Sequence, residues 1–346
     1  MNVEKTKERF INFADSECKG NSQLYYQLSN HIANDDDLLE IASTTRPGQP
    51  IPNIFLAAVH YLLLKNPENN LAKYYPSIEK KDSTEIPFNL FKTFCIENKN
   101  EIINLISNKI VQTNVINRCA YLMPIFSNIL SEENKPTTII DIGTSAGLTL
   151  NFDQYEYWYN DQKVFGNSKV KVKSDILESS NPKIFPINQH LSKIGIDQNI
   201  IDPTDEDEIL WLKALIWPDQ QERFNAMDEA LKLEELKNIQ FVKAQSILDF
   251  EKEILKINKD ENLIIYSTHV LYQFTGEQKD VFYSMLDKIG SQRDFYFLSV
   301  EGIEILQKRH KSEEIVIELT NYKGNKKKRT FIAETNGHGN WIKWKK

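Results

Sequence analysis

The stretch IIDIGTSAGLTL, residues 139–150, admits two readings that exclude each other. Residues 143–147 fit G-x-S-x-G, the nucleophile elbow of a serine hydrolase, with Ser145 attacking an ester. With Asp141 in front, the same letters give D-x-G-x-x-x-G. That pattern is a glycine-rich loop between a strand and a helix, suited to a nucleoside cofactor.

The surroundings favour the loop. A nucleophile elbow lies in the middle of its sheet, with several strands before it and an oxyanion donor on one of their loops. Here 137–142 is the first convincing strand, everything before it reads as helix, and no HGG-type loop is present. The order Ser145, an acid, His338 is compatible with a triad, but chance meets it easily in a chain with six histidines. A cofactor loop needs only small residues. Gly143 permits the tight turn and Gly147 the close approach of a helix. Thr144, Ser145 and Ala146 let backbone N–H groups face a ligand. Asp141 suits an amino group and repels a pyrophosphate. Dinucleotide loops also prefer G-x-G-x-x-G, and here Ser145 stands in the place of the second glycine. Both points favour S-adenosylmethionine over NAD.

Working outward, residues 1–130 read as helices, at 5–18, 22–33, 55–64, 88–98 and 101–109, with no period-two segment. From Lys135-Pro136 onward strands alternate with helices. Strands are expected at 137–142, 170–175, 239–244, 262–268 and 294–300, an amphipathic helix at 276–289, and a closing antiparallel pair at 315–322 and 329–334. The expected fold is α/β, with a mostly parallel Rossmann-like sheet covered by helices on both faces, preceded by an all-helical domain. The expected domains are 1–130, a helical cap that helps form the substrate pocket, and 131–346. The second holds a helical insertion at 178–236. In that insertion Thr204 and Asp207 read as a capping box. Trp211 and Trp217 read as core, with a lid over the cleft as the alternative.

Bulk composition narrows the function classes. The 346 residues are 40% hydrophobic and 26% charged, with a net charge of -7. This is ordinary globular composition and gives no reason to expect nucleic acid. The basic run 326–329 reads as a solvated hairpin tip. The N-terminus is charged, without a signal peptide's apolar core, and no apolar run is long enough to span a bilayer. Cys18, Cys95 and Cys119 are scattered, which points to a reducing cytoplasm and to neither disulfides nor zinc. No metal site is expected.

D-I-G-T-S-A-G-L resembles motif I of class I S-adenosylmethionine-dependent methyltransferases, and the closing hairpin is similar to that fold. More specifically, the chain resembles a bacterial and archaeal family, domain of unknown function 2332. The resemblance covers most of the chain, through LAAVHYLLL (56–64), VQTNVINRC (111–119), IDIGTSAGLTLNFD (140–153), the long segment 195–223, THVLYQF (268–274) and HGNWIKW (338–344). The family name carries no reaction, only a methyltransferase-like fold. Such folds usually place an acid beside the adenine after the third strand, where this chain has Ala244-Gln245-Ser246.

These readings assign residues. Asp141, Gly143, Thr144, Ser145, Ala146 and Gly147 are the expected cofactor loop, with Gln245 and Ser246 at the adenine. Asp175, ending the expected second strand, takes the ribose hydroxyls; Asp197 is its rival. His269 is the candidate general base, and Glu301 and His338 are further candidates at the same rim. Gln112, Asn114, Arg118 and Tyr272 are candidate substrate contacts, Arg118 for an anion. His60, on an apolar helix, reads as a satisfied core histidine. The expected activity is methyl transfer to an O or N nucleophile of a small molecule. The alternatives are a module that binds S-adenosylmethionine without catalysis, and a serine hydrolase using Ser145.

Overall fold

The computed structural model describes residues 2–79, 87–133, 135–302, 305 and 314–345. The chain divides into two compact units, one of residues 1–113 with 202–228 and the other of 114–201 with 229–346. The first boundary therefore falls near 113, ahead of the composition change at Lys135-Pro136.

The first unit is helical. Its helices are α1 (Val3–Phe13), α2 (Gln23–Ile32), α3 (Asp36–Ser43), α4 (Ile51–Lys65), α5 (Pro76–Glu79), α6 (Phe88–Glu97), α7 (Lys99–Asn108) and, after the other unit intervenes, α9 (Glu206–Ala214). Side chains that accept orphan N–H groups begin several of them: Asn2 for α1, Ser22 for α2 and Asp35 for α3. Helix α4 is apolar almost all round, and twelve of its fifteen residues are buried, so it runs through the middle of this unit. His60 on α4 is satisfied on both ring nitrogens, by Ala214 O at 3.0 Å and Ser77 Oγ at 2.8 Å. Helix α9 starts at Asp205, whose carboxylate accepts from the N–H groups of Asp207 and Glu208. The expected cap, Thr204, instead donates its hydroxyl to Asp202. Trp211 belongs to this unit's core and donates Nε1–H to Ile110 O at 2.8 Å. Trp217 packs against the rings of Phe13 and Tyr25.

The second unit carries one sheet. In chain order its strands are β1 (Thr137–Ile142), β2 (Glu156–Tyr159), β3 (Gln162–Phe165), β4 (Lys171–Ile176), β5 (Leu191–Asp197), β6 (Ile239–Lys243), β7 (Asn262–Thr268), β8 (Phe295–Gly302), β9 (Ile315–Lys323), β10 (Lys326–Thr335) and β11 (Trp341–Trp344). They lie in the order β3-β2-β4-β11-β10-β9-β8-β7-β1-β5-β6. The run β6-β5-β1-β7-β8 is parallel throughout. Counting parallel strands alone, it has the 3-2-1-4-5 order of a doubly wound sheet. β1 is buried along its whole length and β7 along nearly all of it, as strands covered on both faces must be. Helices α8 (Cys119–Ser131), α11 (Ile247–Leu255) and α12 (Gly276–Gly290) belong with this unit, while α10 (Gln221–Ala230) straddles the division. The sheet is thus mixed but mostly parallel, and the unit is α/β.

Three expectations about this unit change. The strand at 170–175 exists as β4, but it pairs with β2 and β11 and lies six strands from β1. The parallel neighbour of β1 on that side of the switch is β5, within the segment expected to be a helical insertion. No α-helix follows the glycine loop. A 3-10 segment, Leu148–Gln154, leads instead into the β2–β3 hairpin. Beyond 109, within the stretch 1–130 read as helical, a 3-10 turn at Ile116–Arg118 leads into α8. The basic residues 326–329 start β10 beside the Gly324-Asn325 turn and are exposed, as a hairpin tip should be.

Candidate functional site

In a doubly wound sheet the strand order reverses between the first and fourth parallel strands, and ligands sit at the carboxyl ends there. In this chain that point lies between β1 and β7. The loop 143–147 leaves β1, and Thr268-His269 leaves β7.

The loop is held from several sides. Gly143 and Thr144 donate their N–H groups to Ile196 O at 2.8 and 3.3 Å. Ser145 donates its N–H to Asp197 Oδ2 at 2.8 Å, and the other oxygen of Asp197 accepts Asn199 N–H at 3.0 Å. Gly147 N–H returns to Thr144 O at 2.9 Å. Asn114 Nδ2 grips Thr144 O at 2.6 Å. Gly143 has φ +82°, and a Cβ there would stand 2.3 Å from the side chain of Val270. Gly147, at φ +73°, would meet the ring of Phe241. Both glycines are therefore required by backbone shape and packing as well as by any ligand. Ser145 also has a positive φ, +55°, unusual for a residue with a side chain.

Asp141 is buried beneath the loop. Its register partners are Gly195 of β5 and Tyr266 of β7. The Thr149 hydroxyl donates to Asp141 Oδ2 at 2.8 Å and in turn accepts Tyr266 OH at 3.2 Å. Burial pushes the Asp141 carboxyl up to about 6, against the nearby hydroxyls of Thr149, Thr144 and Tyr266. Asp141 is thus a network residue under the loop. Thr149 and Tyr266 are members that sequence reading missed, although period two puts Tyr266 and Asp141 on matching faces once the register is known.

A second group gathers at β7 and β8. Glu301 Oε1 accepts the N–H groups of Val270 at 2.7 Å and Leu271 at 2.8 Å, which fixes the turn after β7. Burial raises its carboxyl to about 7. His269 sits at φ +57° and donates its backbone N–H to Val300 O. Burial first, then the charge of Arg118 and then His338, bring its imidazole down to about 3. Arg118 donates to Gly337 O at 3.2 Å, Thr268 O at 3.2 Å and Thr268 Oγ1 at 3.3 Å. Its guanidinium spans two loops with three neutral acceptors. His338 lies exposed in the turn after β10, where Asn336 Oδ1 accepts its backbone N–H.

Several buried polar atoms here have no partner. They include Asn114 Oδ1, Ser145 Oγ, His269 Nε2 and Glu301 Oε2. Buried polar groups are nearly always hydrogen-bonded, so each of these atoms has bonding capacity left over.

Other expected residues lie elsewhere. Asp175 is the penultimate residue of β4, is exposed, and faces Trp341 of β11 in register, so it is not beside the glycine loop. Asp197 is the acid there. Ser246 caps α11 in a reciprocal box with Asp249, and Gln245 beside it is exposed at the end of β6. Tyr272 is exposed at 59% on the turn after β7. Gln112 belongs to the helical unit.

Fold and site together define an α/β protein with a doubly wound parallel run whose switch point carries the glycine loop. The chain belongs to the family described as uncharacterized protein conserved in bacteria, DUF2332, whose model matches residues 7–344. No curated protein matches it. Among the described residues, no helix is long and apolar enough to cross a membrane.

Proposed function

We propose that the second unit binds S-adenosylmethionine at the carboxyl ends of β1, β5 and β7, and that its methyl group passes to an oxygen or nitrogen of a small molecule. The observation that carries this reading is the set of partnerless buried polar atoms around the glycine loop, at the strand ends where such sheets take ligands. The residues fit the group. Asp197 ends β5 beside the loop, and a carboxylate there is the group that accepts the paired hydroxyls of a ribose. Ser145 Oγ and Asn114 Oδ1 are free for polar atoms of the cofactor. Asp141 and Asp197 disfavour a pyrophosphate, which argues against NAD.

The bound cofactor supplies an electrophilic methyl on sulfonium. The chain's own contribution is to hold the acceptor in line and exclude water. His269, with its imidazole brought down to about 3, is too weak a base to take a proton at neutral pH. It serves as a neutral hydrogen-bonding group. Glu301, raised to about 7 with Oε2 free of donors, has the proton affinity that deprotonation of an acceptor calls for.

Calorimetric titration tests the reading. S-adenosylmethionine and S-adenosylhomocysteine are expected to bind and NAD to fail. Ser145→Ala should weaken S-adenosyl binding without costing stability, because the hydroxyl it removes has no partner. Absence of S-adenosyl binding in folded protein refutes the proposal. Binding that persists with no methyl transfer to any acceptor favours the non-catalytic module.

A hydrolase is the second reading, favoured by the positive φ of Ser145, which an elbow nucleophile requires. Against it, no base is hydrogen-bonded to Ser145 Oγ. Labelling of wild-type protein by a fluorophosphonate, absent in Ser145→Ala, would establish it.

A further inference from the structure

A pocket of about 380 Å³ opens in the second unit between α8, the 177–190 loop and the strands β9, β10 and β11. It lies apart from the carboxyl ends of β1 and β5 that hold the glycine loop. Its walls are mainly apolar, with Ile125, Ile129, Phe185, Leu319, Ile332 and Trp344. The volume falls in the range of small-molecule sites, roughly 300–1,000 Å³, which are apolar with few polar anchors. The lining also carries the polar side chains of Asn128, Ser179 and Ser180, and two further groups serve as anchors. Trp344 Nε1–H is buried and has no acceptor. Lys183 lines the same pocket, is exposed, and has no ion-pair partner among the described residues. Among the described residues, no carboxylate lines the pocket.

We infer that this pocket binds a small apolar monoanion, a carboxylate on a chain or ring of about eight carbons. The apolar walls take the tail, because moving it out of water is favourable. An indole N–H can only donate, so it calls for an acceptor. An unpaired ammonium with no competing acid selects an anionic acceptor over a neutral or cationic one. The 177–190 wall is tied in place, with Phe185 N–H donating to Ser127 Oγ at 3.3 Å and Asn160 Nδ2 to Asn181 Oδ1 at 2.9 Å. The cavity therefore belongs to a fixed loop. This inference stands independently of S-adenosylmethionine binding.

The test is calorimetric titration of the full chain with octanoate and octylamine, repeated on Trp344→Phe and Lys183→Gln. Phe keeps an aromatic wall and removes only the donor, and Lys183 is exposed, so both variants should fold. Octanoate is expected to bind once per chain, with octylamine failing. Affinity should fall by about fivefold or more in at least one variant, the loss expected for a charge-assisted hydrogen bond or ion pair. No octanoate binding, equal binding of octylamine, or octanoate affinity unchanged in both variants overturns the inference.

Discussion

The carboxylate of Asp197, at the end of β5, accepts the backbone N–H of Ser145 at 2.8 Å, tying the glycine loop to the neighbouring strand. The bond joins the residue that raised the elbow question to the acid proposed for the ribose. Asp197→Ala is expected to lose two charge-assisted bonds, to Ser145 and Asn199, and to destabilise the protein by about 2–3 kcal/mol. It should also abolish S-adenosyl binding. Asp197→Asn, which keeps an acceptor oxygen, should fall between. Urea unfolding and calorimetry on the same preparations check both. Full cofactor affinity in Asp197→Ala would show that this acid is structural only.

Gly143 and Val270 are coupled by contact. A methyl at 143 meets Val270 at 2.3 Å and forces an alanine into φ +82°. Gly143→Ala should therefore cost about 2–3 kcal/mol, by combining strain and overpacking. Val270→Ala in the same chain relieves the contact but not the dihedral strain, so the double variant should recover part of the loss. A double-mutant cycle in urea reads the coupling. Strict additivity would contradict the close approach.

Asp141 and Glu301 give the second unit a pH dependence. The Asp141 carboxyl moves from 3.8 to about 6, and that of Glu301 from 4.5 to about 7. Between the two values of each pair the folded protein holds a proton that the unfolded chain has released. Stability contributed by each group is full at low pH and is lost as pH rises through that window, by about 3 kcal/mol for each. Glu301→Gln retains the carbonyl that Val270 and Leu271 need, so it should remove the share of the slope due to Glu301 between pH 4.5 and 7 and leave that of Asp141 below about 6. Unfolding free energies at half-unit intervals decide this. An unchanged slope in the variant would contradict the raised carboxyl.

His269 and His60 act with the opposite sign. Their imidazoles are lowered to about 3 and about 4, so their contributions are present above 6.5 and are lost as pH falls below it. In a proton NMR titration the His269 ring should remain neutral from pH 8 to 5. Arg118→Met should raise its titration point by removing a nearby cation. A His269 midpoint near 6.5 in the wild type would remove the ground for denying it the role of base.

Much of this was legible from local pattern. The ranges of β1 and β7 follow from β-branched runs bounded by turns, and α12 from its apolar stripe. β5 was hidden because LSKIGID carries a lysine inside a buried stretch. Lys193 is only 8% exposed and is satisfied there by Asp153 at 2.6 Å and Asn151 at 3.1 Å, a compensation that lies about forty residues away in sequence. β4 was recognised as a strand by its Val/Lys alternation, but periodicity carries no information about neighbours. Its placement beside β11, far from β1, moved the ribose candidate from Asp175 to Asp197. Glu301 was read as a site residue from its place after a strand, and Arg118 from a polar group within an apolar stretch. That each is tied to backbone groups of the turn after β7 depends on tertiary geometry.

The central claim, that the carboxyl ends of β1, β5 and β7 form a site for S-adenosylmethionine, is tested most directly by a crystal structure grown with saturating S-adenosylhomocysteine. The ligand is expected at the 143–147 loop, with its ribose hydroxyls on Asp197 and its polar atoms on Ser145 Oγ or Asn114 Oδ1. A ligand bound elsewhere, or a loop with no ligand at saturation, would contradict it.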